Sequence, residues 1–293
     1  MQTIWKSPRG WRMEFSALIF LLLFAAQSFA EPWWSSKSEE EKIQVDAGIF
    51  YRRYLYQTVI NKPVRAHVLS VTGVGSQYVF GVLGSYGALF APSDFARQSE
   101  ALAAVNGGFF SVRPNRARGL VAAHGRILYP PHQENYRSTV GFNSSKILFD
   151  WIGPEDIDKY RFQTQKPGWN DCHAALAAGP ILIKDGTTCL YLAESFNLNE
   201  RNPRTAIAQM ADGMALMVVV DGRQPDWSAG VTLGELTDML ADIGASDAMN
   251  LDGGGSSVMV VNNKLMNRPS DFALPGSPGK ERAVANVVAL FKK

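Results

Sequence analysis

Four short clusters hold the residues whose types and spacing suggest chemistry: Asn106-Gly107-Gly108, Arg204-Thr205, Asp221-Gly222-Arg223 and Asn250 to Ser257. The last is the densest. Between Met249 and Val260 an apolar run delivers Asp252, then Gly253-Gly254-Gly255, then Ser256 and Ser257. Three adjacent glycines lose backbone entropy on ordering and add no side-chain packing. Glycine does allow positive φ and the close approach of a ligand to backbone amides, an anion-binding nest. A tight turn or bulge between two strands is the plainer alternative.

The partners fit a site for an anion. Arginine clamps an oxyanion with two parallel hydrogen bonds, which suits Arg204. Asn106, with Gly107 and Gly108 between apolar residues, points an amide toward a pocket walled by Phe109 and Phe110; a capped β-bulge reads equally from the same pattern. Asp221 closes an apolar strand, at the kind of strand end where ligands bind, or else it caps a turn at Gly222. Asp252 either does chemistry or holds the glycine loop through its amides. Asp221, Asp252 and Asn250 also offer hard oxygens to a divalent cation, although a site without metal or other cofactor is the expected arrangement. Each cluster alone is weak, and their value lies in occurring together at the ends of apolar elements.

The elements that position them are mostly strands. Runs at Gly48 to Tyr56, Pro63 to Val71 and Tyr78 to Leu83 are rich in β-branched and aromatic residues between turn signals. A helix from Pro92 to Ala104, with Ser93 as N-cap, leads to Asn106. Hairpins follow at Gly119 to Tyr129 and Thr139 to Phe149, and Pro154 to Asn170 is a polar excursion. Gly179-Pro180 interrupts the apolar run from Ala174 to Ile183, which marks an edge or bulge. Arg204 to Met210 and Met214 to Val220 form the clearest hairpin, its second strand apolar enough for burial on both faces. Val231 to Ala245 is the clearest helix: Leu233, Leu236, Met239, Leu240 and Ile243 share one face, Thr232 and Glu235 form a capping box, and Gly244 stops it. Glu235 therefore has a structural task. A final strand spans Ala283 to Phe291. The expected fold is α+β: one mixed-sheet domain over 46–293, rich in β-hairpins, with a few packed helices.

Ahead of that domain, residues 1–30 carry Lys6, Arg9 and Arg12, an apolar stretch from Phe15 to Ala26, and Ser28-Phe29-Ala30, the layout of a cleavable signal peptide. The apolar stretch falls short of the ~20 residues that span a bilayer. An exported protein, periplasmic or secreted and without a stable membrane span, is expected. Residues 31–45 read as a mobile leader. Removing Lys6, Arg9, Arg12 and Glu14 leaves 26 basic and 26 acidic residues, so no nucleic-acid footprint remains. An even pair of cysteines in an oxidising compartment suggests a Cys172–Cys189 disulfide. His173 beside Cys172 reads as structural.

The clusters Asn106-Gly107-Gly108-Phe109-Phe110, Arg204-Thr205-Ala206-Ile207, Asp221-Gly222, Gly230 to Leu233 with Glu235, and Asn250 to Ser257 together resemble the phosphodiester glycosidase family, and Arg268 to Asp271 and Arg282 extend the match. The similarity runs from about Asn106 to Leu290. It implies cleavage of a sugar-1-phosphodiester at the anomeric carbon, leaving a phosphomonoester. Such a reaction needs an anion site and a carboxylate near an oxocarbenium-like centre. The expected assignment gives catalysis to Asp252 first and Asp221 second. Substrate or phosphate binding falls to Asn106, Gly107, Gly108, Arg204, Thr205, Asn250, Gly253, Gly254, Gly255 and Ser256. A phosphorylated envelope or extracellular glycan is the implied substrate. A non-catalytic glycan- or phosphate-binding protein would use the same pocket.

Overall fold

The computed structural model describes residues 32–131, 138–157, 164, 166–190, 198–274 and 276–293. The signal segment expected over 1–30 lies outside the described residues. Among those residues no helix is long and apolar enough to cross a membrane.

Three main sheets share one core. The first has eight strands in the order β1(Trp34–Asp46), β2(Ile49–Thr58), β3(Pro63–Val71), β16(Ala215–Val220), β15(Arg204–Met210), β17(Ala245–Asn250), β13(Ile181–Lys184) and β14(Thr187–Thr188). The second runs β11(Ile147–Trp151), β10(Ser138–Phe142), β12(Ala174–Ala178), β8(Val121–Ala123), β9(Arg126–Tyr129). The third runs β19(Lys264–Leu265), β18(Met259–Val261), β5(Ala103–Asn106), β20(Asn286–Lys292), β4(Tyr78–Gly84). Their pairings are antiparallel, as in β15 with β16 and β20 with β5, so the expected mixed sheet is corrected to antiparallel sheets, with two α-helices among the described residues.

Side-chain alternation explains the core. On the β15–β16 hairpin, Ile207, Met217 and Val219 enter a central cluster with Tyr51 and Leu69 of the first sheet, Phe80 of the third and Phe142 and Leu176 of the second. Ala206, Leu216, Val218 and Val220 point the other way, onto Leu233, Leu236, Met239 and Leu240 of the helix Leu233–Ile243. A strand buried on both faces must be continuously apolar, and this one is so because a helix covers its second face. Each such side chain contributes about 1.5–3 kcal/mol through burial. The helix has its capping box, with Thr232 Oγ1 accepting from the Glu235 amide at 3.1 Å and the Glu235 carboxylate accepting from the Thr232 amide at 2.9 Å. Gly244 ends it at φ 100°.

Elsewhere the structure departs from expectation. The helix at Pro92–Ser99 begins at N-cap Ala91, not Ser93, and stops at left-handed Glu100, short of Ala104. The leader is strand β1. Trp33 and Trp34 pack on Tyr56, with ring centroids 5.8 and 5.4 Å away. Its acidic run is matched by basic partners on neighbouring strands: Glu40 meets Arg53 at 3.0 Å and Arg65 at 2.9 Å, and Glu41 meets Arg53 at 2.9 Å. Gly179-Pro180 marks no edge or bulge of a single strand. It carries the chain from β12 in the second sheet to β13 in the first. The glycine stretch makes a like crossing, from β17 in the first sheet to β18 in the third.

Cys172 and Cys189 are both buried free thiols, in separate parts of the core. The disulfide inferred from an even cysteine count is therefore corrected. Reductant is expected to leave the melting temperature unchanged, and thiol titration of the unfolded chain should recover both groups. A fall of several degrees on reduction, the signature of losing a bridge that contributes about 3 kcal/mol, would contradict the free thiols.

Candidate active site

The sheet crossing after β17 places Asp252 at the common end of several strands, and neighbouring elements pin its backbone on both sides. The Asp252 amide donates to the Gly107 carbonyl at 2.9 Å, and the Asp252 carbonyl accepts from Asn106 Nδ2 at 2.6 Å. The Asn106 Oδ1 accepts from Thr205 Oγ1 at 2.7 Å and from the Val258 amide at 3.1 Å. Asn106 and Thr205 are fully buried. They are the knot that joins β5, β15 and the glycine loop, and their side chains do not face a pocket as the sequence suggested.

Close packing accounts for the glycines at Gly107 and Gly108. A Cβ at Gly107 would lie 2.2 Å from Asn286 Oδ1, and one at Gly108 would lie 2.2 Å from the Ala177 carbonyl oxygen. Asn286 answers by accepting from the Gly107 and Gly108 amides at 3.0 and 2.7 Å. Asn250 is also buried behind the site, donating to the carbonyls of Gly179 and Leu251 at 2.8 and 2.6 Å.

The three consecutive glycines have a similar cause. At Gly253 a Cβ would lie 2.8 Å from the Pro203 carbonyl oxygen, at Gly254 3.0 Å from an Arg223 guanidinium nitrogen, and at Gly255 2.5 Å from Arg282 Nη2. Gly254 also has φ 63°, where a side chain would strain the backbone. Most of the loop's amides are committed within the protein: Gly253 to the Asp252 carboxylate at 3.0 Å, Gly254 to Pro203 at 2.8 Å and Ser256 to Gly253 at 3.2 Å. The open amide nest expected over Gly253 to Ser256 is thus replaced by a loop threaded beneath arginines.

Those arginines carry the electrostatics. Arg204 donates to the carbonyls of Val231 and Glu200 at 3.1 and 2.8 Å. Arg223, exposed and itself left-handed at φ 59°, donates to Asn202 at 3.0 Å. Both reach uncharged oxygens. Burial holds Arg204 below its ordinary pKa, opposed by the nearby Glu200 charge and helped to a smaller extent by that of Arg223. An anion placed between the two cations relieves their repulsion. Arg282 is instead paired with Asp271, the pair lying over Gly255.

Asp252 is half-buried among them. Burial pushes its carboxyl up to about 6, against the Ser256 hydroxyl, the Gly253 amide and the Arg282 charge. Ser256 Oγ is buried and makes no full hydrogen bond, so its influence on Asp252 is one of proximity. Half-buried and poised to change charge near neutrality, this carboxylate follows a pattern typical of functional sites.

Asp221 is built differently. It is 1% exposed, and four donors saturate it: His67 Nε2 at 3.0 Å, Trp227 Nε1 at 2.7 Å, Asn267 Nδ2 at 3.0 Å and the Arg268 amide at 3.1 Å. His67 Nδ1 meets the Tyr51 hydroxyl at 2.9 Å, so the imidazole bridges Tyr51 and Asp221. The second catalytic carboxylate expected from sequence is therefore an internal anchor.

Sequence reasoning passed over His67, Trp227 and Asn267 and gave Arg223 and Arg282 no role. The available signals were a histidine inside the apolar strand Val64 to Val71 and the polar run Asn267 to Asp271.

The family model for phosphodiester glycosidase matches residues 99–291. The bovine N-acetylglucosamine-1-phosphodiester alpha-N-acetylglucosaminidase is 27% identical over 214 residues, covering 67% of this chain and 38% of that protein. The SPbeta prophage-derived uncharacterized protein YomE of Bacillus subtilis is 37% identical over 117 residues, covering 40% of this chain and 17% of its own length. This chain thus spans well under half the length of these relatives. Among solved structures, the zebrafish N-acetylglucosamine-1-phosphodiester alpha-N-acetylglucosaminidase catalytic domain, described as auto-inhibited by its pro-peptide, superposes with a TM-score of 0.68 at 20% identity, over 88% of each chain. A hypothetical protein from Synechocystis gives a TM-score of 0.69 at 17% identity, over 88% of this chain and 64% of that one. With the family model matching residues 99–291, well over half of its length, the chain belongs to the phosphodiester glycosidase family.

Proposed function

We propose that this protein is an exported hydrolase that cleaves the glycosyl C1–O bond of a sugar-1-phosphodiester in an envelope or extracellular glycan. The observation that carries the reading is the Asp252 carboxylate beside a loop overlain by Arg223 and Arg282 and flanked by Arg204. The diester anion sits against Arg204 and Arg223, which hold it by charge-assisted hydrogen bonds. Asp252, ionised, faces the anomeric carbon and stabilises the positive charge that grows as the C1–O bond breaks. The bond's electron pair leaves with the phosphate. A phosphomonoester is a good leaving group, so one carboxylate suffices where ordinary glycosides need an acid as well. Water supplies the hydroxyl to C1 and its proton passes to solvent or product. Asp221, Asn106 and Thr205 act as positioning residues. Export rests on the charged, apolar and small-residue layout of positions 1–30.

The test is hydrolysis of N-acetylglucosamine-1-phospho-p-nitrophenol in heavy-oxygen water. The label is expected in the sugar, with p-nitrophenyl phosphate released. Label in the phosphate, or no turnover of any sugar-1-phosphodiester, would overturn the reaction class; tight binding without product would favour a glycan-binding protein instead. Arg223→Ala is expected to raise KM about tenfold to a hundredfold with a smaller change in kcat, because a charge-assisted hydrogen bond contributes ~1.5–3 kcal/mol. An unchanged KM would remove Arg223 from the anion site.

A further inference from the structure

A cavity of about 610 Å³ lies apart from Asp252, between β4, the helix Pro92–Ser99 and the β8–β9 hairpin. Leu83, Phe95 and Leu128 form apolar walls, and Gln98, His124 and Arg126 supply polar groups. Among the described residues that line it, none carries a carboxylate. At the rim Tyr86 is 86% exposed and stacks on Tyr129 with centroids 5.6 Å apart. The Arg116 guanidinium lies 5.9 Å from the Tyr129 ring centre.

The register connects this groove to the candidate active site. Gly84, in the groove, pairs with Asn286 of β20. Asn286 in turn accepts from the Gly107 amide at 3.0 Å, and Gly107 accepts from the Asp252 amide at 2.9 Å. Counted through the backbone, groove and site are thus three pairings apart, ~15 Å. A sugar ring offers an apolar face and a rim of hydroxyls. It suits a site with aliphatic and aromatic walls and a few directed amide, imidazole and guanidinium groups. The basic, carboxylate-free lining complements phosphate charge along such a chain.

We propose that this groove is a distal subsite for further units of an anionic, phosphodiester-linked glycan whose scissile linkage lies at Asp252. The proposal rests on the activity inferred above and adds that the substrate is an oligomer. Gln98 and Arg126 are exposed, so Gln98→Ala and Arg126→Glu leave the fold intact. Each is expected to lower kcat/KM about tenfold on a short N-acetylglucosamine-1-phosphodiester oligomer, with no change on the single-linkage p-nitrophenyl diester. Wild-type kinetics on the oligomer, or equal losses on both substrates, would overturn the subsite. If the wild type hydrolyses neither compound, titration calorimetry with the oligomer still decides. Binding retained by Asp252→Asn and lost by Arg126→Glu supports the groove, and equal binding by both, or none to the wild type, rejects it.

Discussion

Asp252→Asn is expected to abolish turnover of a sugar-1-phosphodiester and, at the same time, to raise the melting temperature at pH 8. The loss of rate should be roughly a thousandfold or more, the scale seen when preorganised charge stabilisation is removed from a transition state. The gain in stability follows from linkage. Burial lifts the Asp252 carboxyl from its ordinary 3.8 to about 6, so the folded chain holds this proton more tightly than the unfolded chain. A raised carboxyl contributes stability that is present below pH 3.8 and is lost as pH rises through 6. Above that range the native state carries a cost of up to ~3 kcal/mol, discounted by the solvent that still reaches the group. Asparagine never ionises and avoids it. The melting-temperature gap between variant and wild type should therefore be clear at pH 8 and vanish near pH 4. Wild-type activity should fall as pH drops through about 6, because the ionised form does the work. Full turnover by the variant, or an equal gap at both pH values, would sink the assignment.

Removal of the Asp221 carboxylate should have the opposite effect on stability. Asp221→Ala strands four donors, on buried His67 and Asn267 and on half-buried Trp227 and Arg268. Breaking a buried, hydrogen-bonded charge site costs ~3–5 kcal/mol, on the order of 10 °C in melting temperature for a domain of this size. Activity should fall with it, since the same carboxylate ties down the segments that carry Arg223 and lead to Asp271. Gln224 reinforces the second segment by donating to the carbonyls of Arg268 and Pro269 at 3.1 and 3.2 Å. Calorimetry at pH 7 measures the first effect. A melting temperature within a degree or two of wild type would show that Asp221 anchors nothing.

These two aspartates also show what the sequence made legible. Local patterns carried the β15–β16 hairpin and the capped helix at Leu233–Ile243, because neighbours in the chain decide them. The same patterns named the loop at Asp252 and the clusters that meet it. They could not separate Asp252 from Asp221, since both follow apolar strands and precede glycine. What separates them is remote: His67 lies 154 residues from Asp221 and Asn267 lies 46 away. Strand β1 was hidden for a related reason. A run of Ser, Lys and Glu reads as solvated until Arg52, Arg53 and Arg65 are laid beside it. The disulfide failed because counting cysteines says nothing of where their side chains point.

The last strand, β20, lies between β4 and β5, elements laid down some 180 residues earlier in the chain. Its first residue, Asn286, also closes the Gly107–Gly108 turn that supports Asp252. Such remote pairings form late, after the entropy of closing a long loop has been met. A nascent chain stopped before Asn286 therefore has all its proposed catalytic groups and no frame to hold them.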